Sequence, residues 1–462
     1  MTHSPPVERY PGTATALSTR IRWSYGAGSL FTSIYGTLPQ VVLLYYMTSQ
    51  LGIPAAVGGV VLFLPKLVEI FVDPAIGLFS DRLRTRWGRR RPLMAAGTLG
   101  FLLAFPFLFH PPHLDSPMQY AAFTAAVFTV ATFFYSLFFV PYLALPAEMT
   151  AQPSERTMLM GLRIGFLSLG VMIAGAGAPL LIAAGGGGMS GYALMNWAYA
   201  AVCVAAMTLA WVGTIGAPES ERRLAPGHLL LQLRSALNNR PFAYLASAYS
   251  LQAAAMGCFS AALPYFVVHS LAAAPSTGGL IFLAVTGTSL LMMVPWILLG
   301  NRVGKHRCYY FAAVTYGVFS LLQVASGATT PLWQVLLIFV FAGVGFAGVQ
   351  LFSHALLPDT TVLDRTLTGA NREALFSGIW ISAEKLGFAG GALLAGALLQ
   401  IGGLVPATGG PLQAQPESAV LAIRALIAVV PAVLLALSLP LIRRSERSAV
   451  LAGLSVPATA KV

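Results

Sequence analysis

The stretch KLVEIFVDPAIGLFSDRLRTRWGRRRP, Lys66 to Pro92, decides the fold. Its first half lies in a long apolar run, yet it carries Lys66, Glu69 and Asp73. Its second half leaves that run through Ser80-Asp81-Arg82 and places six arginines between positions 82 and 91. Charges at hydrocarbon depth are costly and mark a pathway or a relay. Arginines just outside a span mark its cytoplasmic end. The stretch therefore reads as a membrane-spanning helix with a charged interior face and a basic cytoplasmic exit.

The rest of the chain repeats the pattern. Of 462 residues, 57% are hydrophobic and 9% charged, which no soluble protein of this size hides. At about 20 apolar residues per span, twelve spans are expected, at 24–48, 57–80, 93–110, 118–146, 157–183, 191–215, 241–268, 276–300, 307–326, 331–357, 374–401 and 419–442. The fold class is all-α and polytopic. The formal charge of +12 does not point to nucleic acid, because the arginines flank spans and form no basic domain. Connections after even-numbered spans carry the lysines and arginines, including Arg156, Arg240, Arg302, Lys305 and Arg365. The intervening ones, such as SQLGIPA and GGLVPATGGPLQAQPES, carry none. Both termini are therefore expected in the cytoplasm of a plasma (inner) membrane protein.

The polar connection 216–240 divides the chain into bundles at 24–215 and 241–442, with tails at 1–23 and 443–462. Within it, GHLLLQLRSAL (227–237) has the pattern of a surface helix, although a plain tether suffices. Ser80-Asp81-Arg82 with Arg86, Gly88 and Arg89 is faintly echoed by Gly300-Asn301-Arg302 with Gly304, Lys305 and Arg307. Two related six-helix bundles with a site between them is a common plan among secondary transporters.

The interior charges define the candidate site. On a helix, Lys66, Glu69 and Asp73 share one face. Asp73 lies about 12 Å and Glu69 about 18 Å from the cytoplasmic end of their span, at 1.5 Å per residue. Pro74 frees the Ile70 carbonyl, a further oxygen for a small hard cation. Arg163 in the fifth span and Glu384 and Lys385 in the eleventh are also intramembrane. Lys385 has Asp73, Glu69 or its neighbour Glu384 as possible partners. Adjacent residues diverge by about 100°, which disfavours Glu384 for the same face. Arg424, near the outer end of the last span, is expected to snorkel. Gly77, Asp81, Arg82, Arg89 and Arg90 form a candidate conformational latch, in which Asp81 holds the arginines of the next connection. The three cysteines and seven histidines have no metal spacing, and no nucleophile–base set argues for an enzyme.

At these residues the chain resembles the major facilitator superfamily, and within it the glycoside–pentoside–hexuronide:cation symporters, of which melibiose permease is a member. The resemblance rests on SYG (24–26), YYMTSQLG (45–52), E-x-x-x-DP-x-x-G (69–77), SDR…RWGRRRP (80–92), VPYLALPAEM (140–149), SERTMLMGLR (154–163) and LLPDTTVLDR…GANREALFSG (356–378). It implies a major facilitator fold. It also implies cation-site carboxylates at Glu69 and Asp73, with basic partners at Lys66 and Lys385. Arg163 and Tyr142 fall at substrate-side positions, and Ser33, Tyr35, Thr37 and Trp380 complete the candidate substrate contacts. The departures are Ser33 and Phe139 where melibiose permease has sugar-binding aspartates, Val72 where it has an amide ligand, and Leu143 where an aromatic residue is expected. A galactoside held in the same way is not expected, and about half of the rings among Phe133, Phe134, Tyr135, Phe138 and Phe139 are expected to face lipid.

The expectation is a monomeric, cation-coupled symporter of a sugar, glycoside or related small solute, working in the lipid bilayer without nucleic acid or cofactor. Its coupling ion is H+ or Na+. The proton is favoured because Val72 and Phe139 remove oxygen donors that a metal cation needs. The alternative within the family is a carrier of lysolipids or other amphipaths.

Overall fold

The computed structural model describes residues 17–150, 152–217, 239–368, 373–409 and 413–451. The segments 227–237 and 369–372 lie outside the described residues. Among those described, twelve helices are long and apolar enough to cross a membrane. They are α1 (Thr19–Ser49), α2 (Ala55–Arg82), α3 (Arg91–Leu108), α4 (Pro117–Met149), α5 (Ser154–Ala184), α6 (Gly188–Gly213), α7 (Arg240–Ser270), α8 (Thr277–Val303), α9 (Lys305–Ala325), α10 (Leu332–Thr366), α11 (Leu375–Ile401) and α12 (Glu417–Ala449).

Local chemistry sets the helix ends. Ser116 caps α4 by accepting from the Gln119 amide, and Asn239 caps α7 by accepting from the Phe242 amide, each with proline in the first turn. Pro65 and Pro74 lie inside α2, as a membrane helix permits. Several helices outrun their apolar windows. α1 begins at Thr19 rather than 24, α10 ends at Thr366 rather than 357, and α12 runs to Ala449 rather than 442. Backbone hydrogen bonding continues into the polar zone, so part of each expected tail is helical.

The helices bury small residues and many rings against one another and turn other apolar side chains outward. Phe71, Leu103 and Leu291 are 72%, 71% and 74% exposed, as lipid-facing side chains are. On α4, Phe133 points outward, while Tyr135, Phe138 and Phe139 are buried.

The two halves, α1–α6 and α7–α12, meet along α2–α11 and α5–α8 and where α1 crosses α7. Glycines permit the closest approaches. A Cβ on Gly396 would sit 2.4 Å from the Ala55 carbonyl, and one on Gly279 would sit 2.4 Å from that of Ala176. At the end remote from the termini the halves are tied together. The Tyr265 hydroxyl donates to the Leu44 carbonyl (3.1 Å) and pairs with the Thr48 hydroxyl (2.6 Å). The α11–α12 connection reaches across, with Ala407 N donating to Thr48 O (2.8 Å), Gly52 N to Ala407 O (2.9 Å) and Gly409 N to Ser49 O (3.1 Å). Each half bends here through a π-helical turn, Pro39–Leu43 in α1 and Phe266–Ser270 in α7. The structure is closed at this distal end.

Candidate functional site

Four charges meet between the halves. Helical spacing puts Lys66, Glu69 and Asp73 on the face of α2 that turns toward α11, and α11 supplies Lys385. The Lys66 ammonium donates to Glu69 Oε2 at 2.8 Å. The Lys385 ammonium donates to Glu69 Oε1 at 2.5 Å and to Asp73 Oδ2 at 2.7 Å. Glu69 is 1% exposed. The formal charges balance, two ammoniums against two carboxylates, which a buried ion cluster requires. Three of the four carboxylate oxygens are occupied. The fourth, Asp73 Oδ1, is buried and accepts no hydrogen bond. Aromatic faces complete the shell. The Lys66 ammonium lies 5.4 Å from the Tyr135 ring centre and 5.8 Å from that of Tyr35, and the Lys385 ammonium lies 5.2 Å from that of Phe139.

Lys385 thus meets both α2 carboxylates at once. Glu384 turns elsewhere, toward the Tyr249 hydroxyl. The Tyr249 ring stacks on Trp380 with centres 4.1 Å apart, and its hydroxyl lies 3.4 Å from His354 Nε2. Trp380 is buried, and its indole N–H has no acceptor.

The other substrate candidates divide by what their polar atoms touch. Ser33 donates to the Ser29 carbonyl of its own helix (2.7 Å) and packs against Gly170 of α5. The Tyr35 hydroxyl bonds Thr132 (2.8 Å), and the Tyr142 hydroxyl donates to the Tyr25 carbonyl (2.7 Å) and lies 2.6 Å from Ser29 Oγ. These three groups are bonded within the first bundle in this conformation. Thr37 is half-buried. Arg163 lies within electrostatic range of Tyr25, Tyr135 and Tyr142, and its Nε is buried without a partner. Arg424 does not simply reach for solvent, since its Nε donates to Ser270 at 2.9 Å.

Three of the five candidate latch residues, Asp81, Arg89 and Arg90, gather around a carboxylate that the sequence analysis does not single out, Glu148. Arg90 is buried where the α2–α3 connection meets the end of α4. It donates to Glu148 Oε1 from both Nε (3.0 Å) and Nη2 (2.8 Å), to Ser80 Oγ (2.9 Å), and pairs with Asp81 at 2.5 Å. Arg89 approaches the same Glu148 oxygen at 3.6 Å. Arg82 is exposed, and a Cβ on Gly77 would meet only Val140, at an ordinary 3.7 Å. The partners of Arg90 all belong to the first half, so the network locks α2, α3 and α4 to one another. Glu148 was legible as a lone carboxylate ending a span beside the arginine-rich connection.

The profile of the family described as MFS/sugar transport protein matches residues 24–446. An uncharacterised symporter of Synechocystis sp. is 29% identical, over 91% of this chain and 92% of its own length. The isoprimeverose transporter of Lactiplantibacillus pentosus is 23% identical, over 83% and 80%. The crystal structure of the nucleoside transporter NupG superposes with a TM-score of 0.66 at 12% identity, over 93% of this chain and 99% of that one.

Proposed function

The chain belongs to the MFS/sugar transport protein family, and from that premise we propose that it is a cation-coupled symporter of a sugar or glycoside, driven by the proton. Membership makes it an integral membrane protein that carries a sugar-type solute by secondary transport, and not an enzyme. The observation that carries the finer reading is the salt bridge across the halves, with Lys385 of the second half held by Glu69 and Asp73 of the first.

Such a bridge couples ion binding to rocking of the bundles. A proton on Asp73 removes one of the two charges that hold Lys385, and the attraction between the halves weakens. Binding that changes the balance between two arrangements is what alternating access requires. The oxygen count favours the proton over sodium. A proton needs one free oxygen, and Asp73 Oδ1 is one. A metal cation needs several, and here two ammoniums hold the others while Phe139 presents a ring. No other cofactor enters the reading. The sorting of lysines and arginines along the sequence supports a cytoplasmic position for both termini.

Gradient-driven uptake in proteoliposomes, compared with solute exchange, tests the assignment. Asp73→Asn abolishes accumulation against a gradient and retains exchange. Normal accumulation by this variant sinks the coupling site. Uptake of radiolabelled sugars against lysolipids separates a sugar carrier from an amphipath carrier.

A further inference from the structure

The basic residues at the end where the termini lie are not all matched by acids. Arg22 pairs with Glu155, Arg90 with Glu148 and Lys305 with Asp359. Arg307 at the start of α9, and Arg443 and Arg447 near the end of α12, are exposed and have no carboxylate within ion-pair reach among the described residues. Glu446, beside Arg447, turns instead toward His306, whose Nδ1 lies 3.9 Å away.

The packing of α12 directs its arginines. Ser438, Ile442 and Ser445 form its buried face. Ser438 Oγ lies 3.0 Å from the Tyr309 hydroxyl of α9, and Ser445 donates to the Pro241 carbonyl of α7 at 2.7 Å. That docking fixes the rotation of the helix, so Arg443 and Arg447, about one turn apart, share a flank. Both stand within electrostatic range of the Tyr310 hydroxyl on α9. That hydroxyl is buried and has no hydrogen-bond partner. Arg307 falls on the same face of α9, about one turn before Tyr310 and Phe311. Deeper in the membrane this corner is apolar and faces outward, with Phe311, Val314 and Leu437 at 62%, 55% and 53% exposure.

Three arginines against Glu446 leave the corner with an excess of two positive charges when His306 is neutral. Orienting the chain accounts for arginines at this end. It does not account for a buried hydroxyl that faces them without an acceptor. Such a group is costly, and an anionic oxygen brought from outside satisfies it. The carrier of that oxygen also has to lie against the apolar strip. The cytoplasmic leaflet, where the termini are proposed to lie, offers such molecules in its anionic lipids.

We propose that the α9–α12 corner binds an anionic phospholipid. Its phosphate sits on Arg307, Arg443 and Arg447, the Tyr310 hydroxyl donates to it, and an acyl chain runs along Phe311 and Leu437. The guanidiniums make charge-assisted hydrogen bonds to the phosphate oxygens. A zwitterionic phosphatidylcholine brings the same phosphate but sets its ammonium against the arginines. The assignment needs neither the identity of the solute nor that of the coupling ion.

The test uses the purified full-length protein in detergent, titrated with phosphatidylglycerol or phosphatidylcholine and read by native mass spectrometry and thermal shift. Phosphatidylglycerol is expected to bind about tenfold or more tighter than phosphatidylcholine and to raise Tm, as a ligand of the folded state does. Arg443→Gln with Arg447→Gln brings the two lipids to within about threefold of each other. Arg84→Gln with Arg86→Gln removes the same charge from the exposed α2–α3 connection and leaves the preference in place. Tyr310→Phe keeps the ring and does not lower the Tm of the lipid-free protein, because no hydrogen bond is lost. It lowers the affinity for phosphatidylglycerol by about threefold or more. Equal binding of the two lipids by the unaltered protein overturns the site. So does an equal loss of preference in the Arg84 and Arg86 double variant, because net charge at this end would then attract the lipid wherever it sits. The same rise in Tm with inorganic phosphate alone overturns a lipid as the occupant.

Discussion

The α2–α3 and α8–α9 junctions occupy equivalent places in the two halves, and they differ in what holds them. Both turn on a glycine in the left-handed region, Gly88 at φ 89° and Gly304 at φ 99°, where a side chain would be strained. Both send a basic residue to an acid on the fourth helix of the half. In the first half this is Arg90, with side-chain exposure of 10% against 4% for Glu148, and with Ser80 and Asp81 sharing the guanidinium. In the second it is Lys305, which bonds Asp359 at 2.7 and 2.9 Å with exposures of 44% and 49%. The repeat is preserved in the backbone turn and lost in the side-chain load. A planar guanidinium can be buried because its fork satisfies several acceptors at once, whereas an ammonium paired at the surface stays largely solvated. The first half is therefore built as a block clamped through α2, α3 and α4, and α2 carries Glu69 and Asp73.

The largest expected effect comes from breaking the buried side. Glu148→Gln leaves the Arg90 charge under-compensated and lowers stability by about 3 kcal/mol, the low end for a broken buried pair because Asp81 remains. Chemical unfolding of the detergent-solubilised protein measures it. A loss no greater than that of a surface pair would erase the contrast between the junctions.

Asp81→Ala comes next. Asp81 is partly solvated at 23% exposure, and Glu148 keeps Arg90 paired, so the loss is about 1 kcal/mol. Turnover falls more than stability, because α2 is less firmly indexed to α4. Cysteine accessibility along the lower half of α2 reads that loosening, and labelling and turnover both unchanged would reduce the motif to a topology signal.

Asp359→Ala sharpens the comparison from the other side, with an expected change within about 0.5 kcal/mol, as for an exposed pair. The same unfolding assay applies. A loss matching that of Glu148→Gln would mean that the second junction is clamped as firmly as the first.

How much of this could be read in advance depends on the kind of contact. The Lys66–Glu69 pair was legible, since three residues along one helix bring side chains together whatever the surroundings. The Asp81–Arg90 pair was partly legible, because a short connection must fold back on itself. The Arg90–Glu148 bond spans 58 positions and the Lys385–Asp73 bond 312. For Lys385, depth and charge narrowed the partners to three, and only the packing of α11 on α2 showed that two of them are engaged together. Tyr142 enters the candidate substrate set through the family resemblance and Tyr35 as a hydrogen-bonding group of the first span, and neither argument says which partner a hydroxyl takes. Both hydroxyls have partners inside the first bundle, on Thr132, Ser29 and the Tyr25 carbonyl.

The sequence by itself determined twelve apolar spans and the spacing of the charged residues along them. Apolar run length and rise per residue fix those quantities locally. Tertiary structure alone decided which faces of the helices meet. It joined Lys385 to both α2 carboxylates, left Arg163 and Trp380 with unpaired groups, gave Arg90 to Glu148 and closed the distal end through Tyr265 and the Ala407 segment. Those outcomes depend on the rotation of each helix about its axis and on close approach at glycines such as Gly279 and Gly396. Hydropathy is the same for many rotations, and packing selects one.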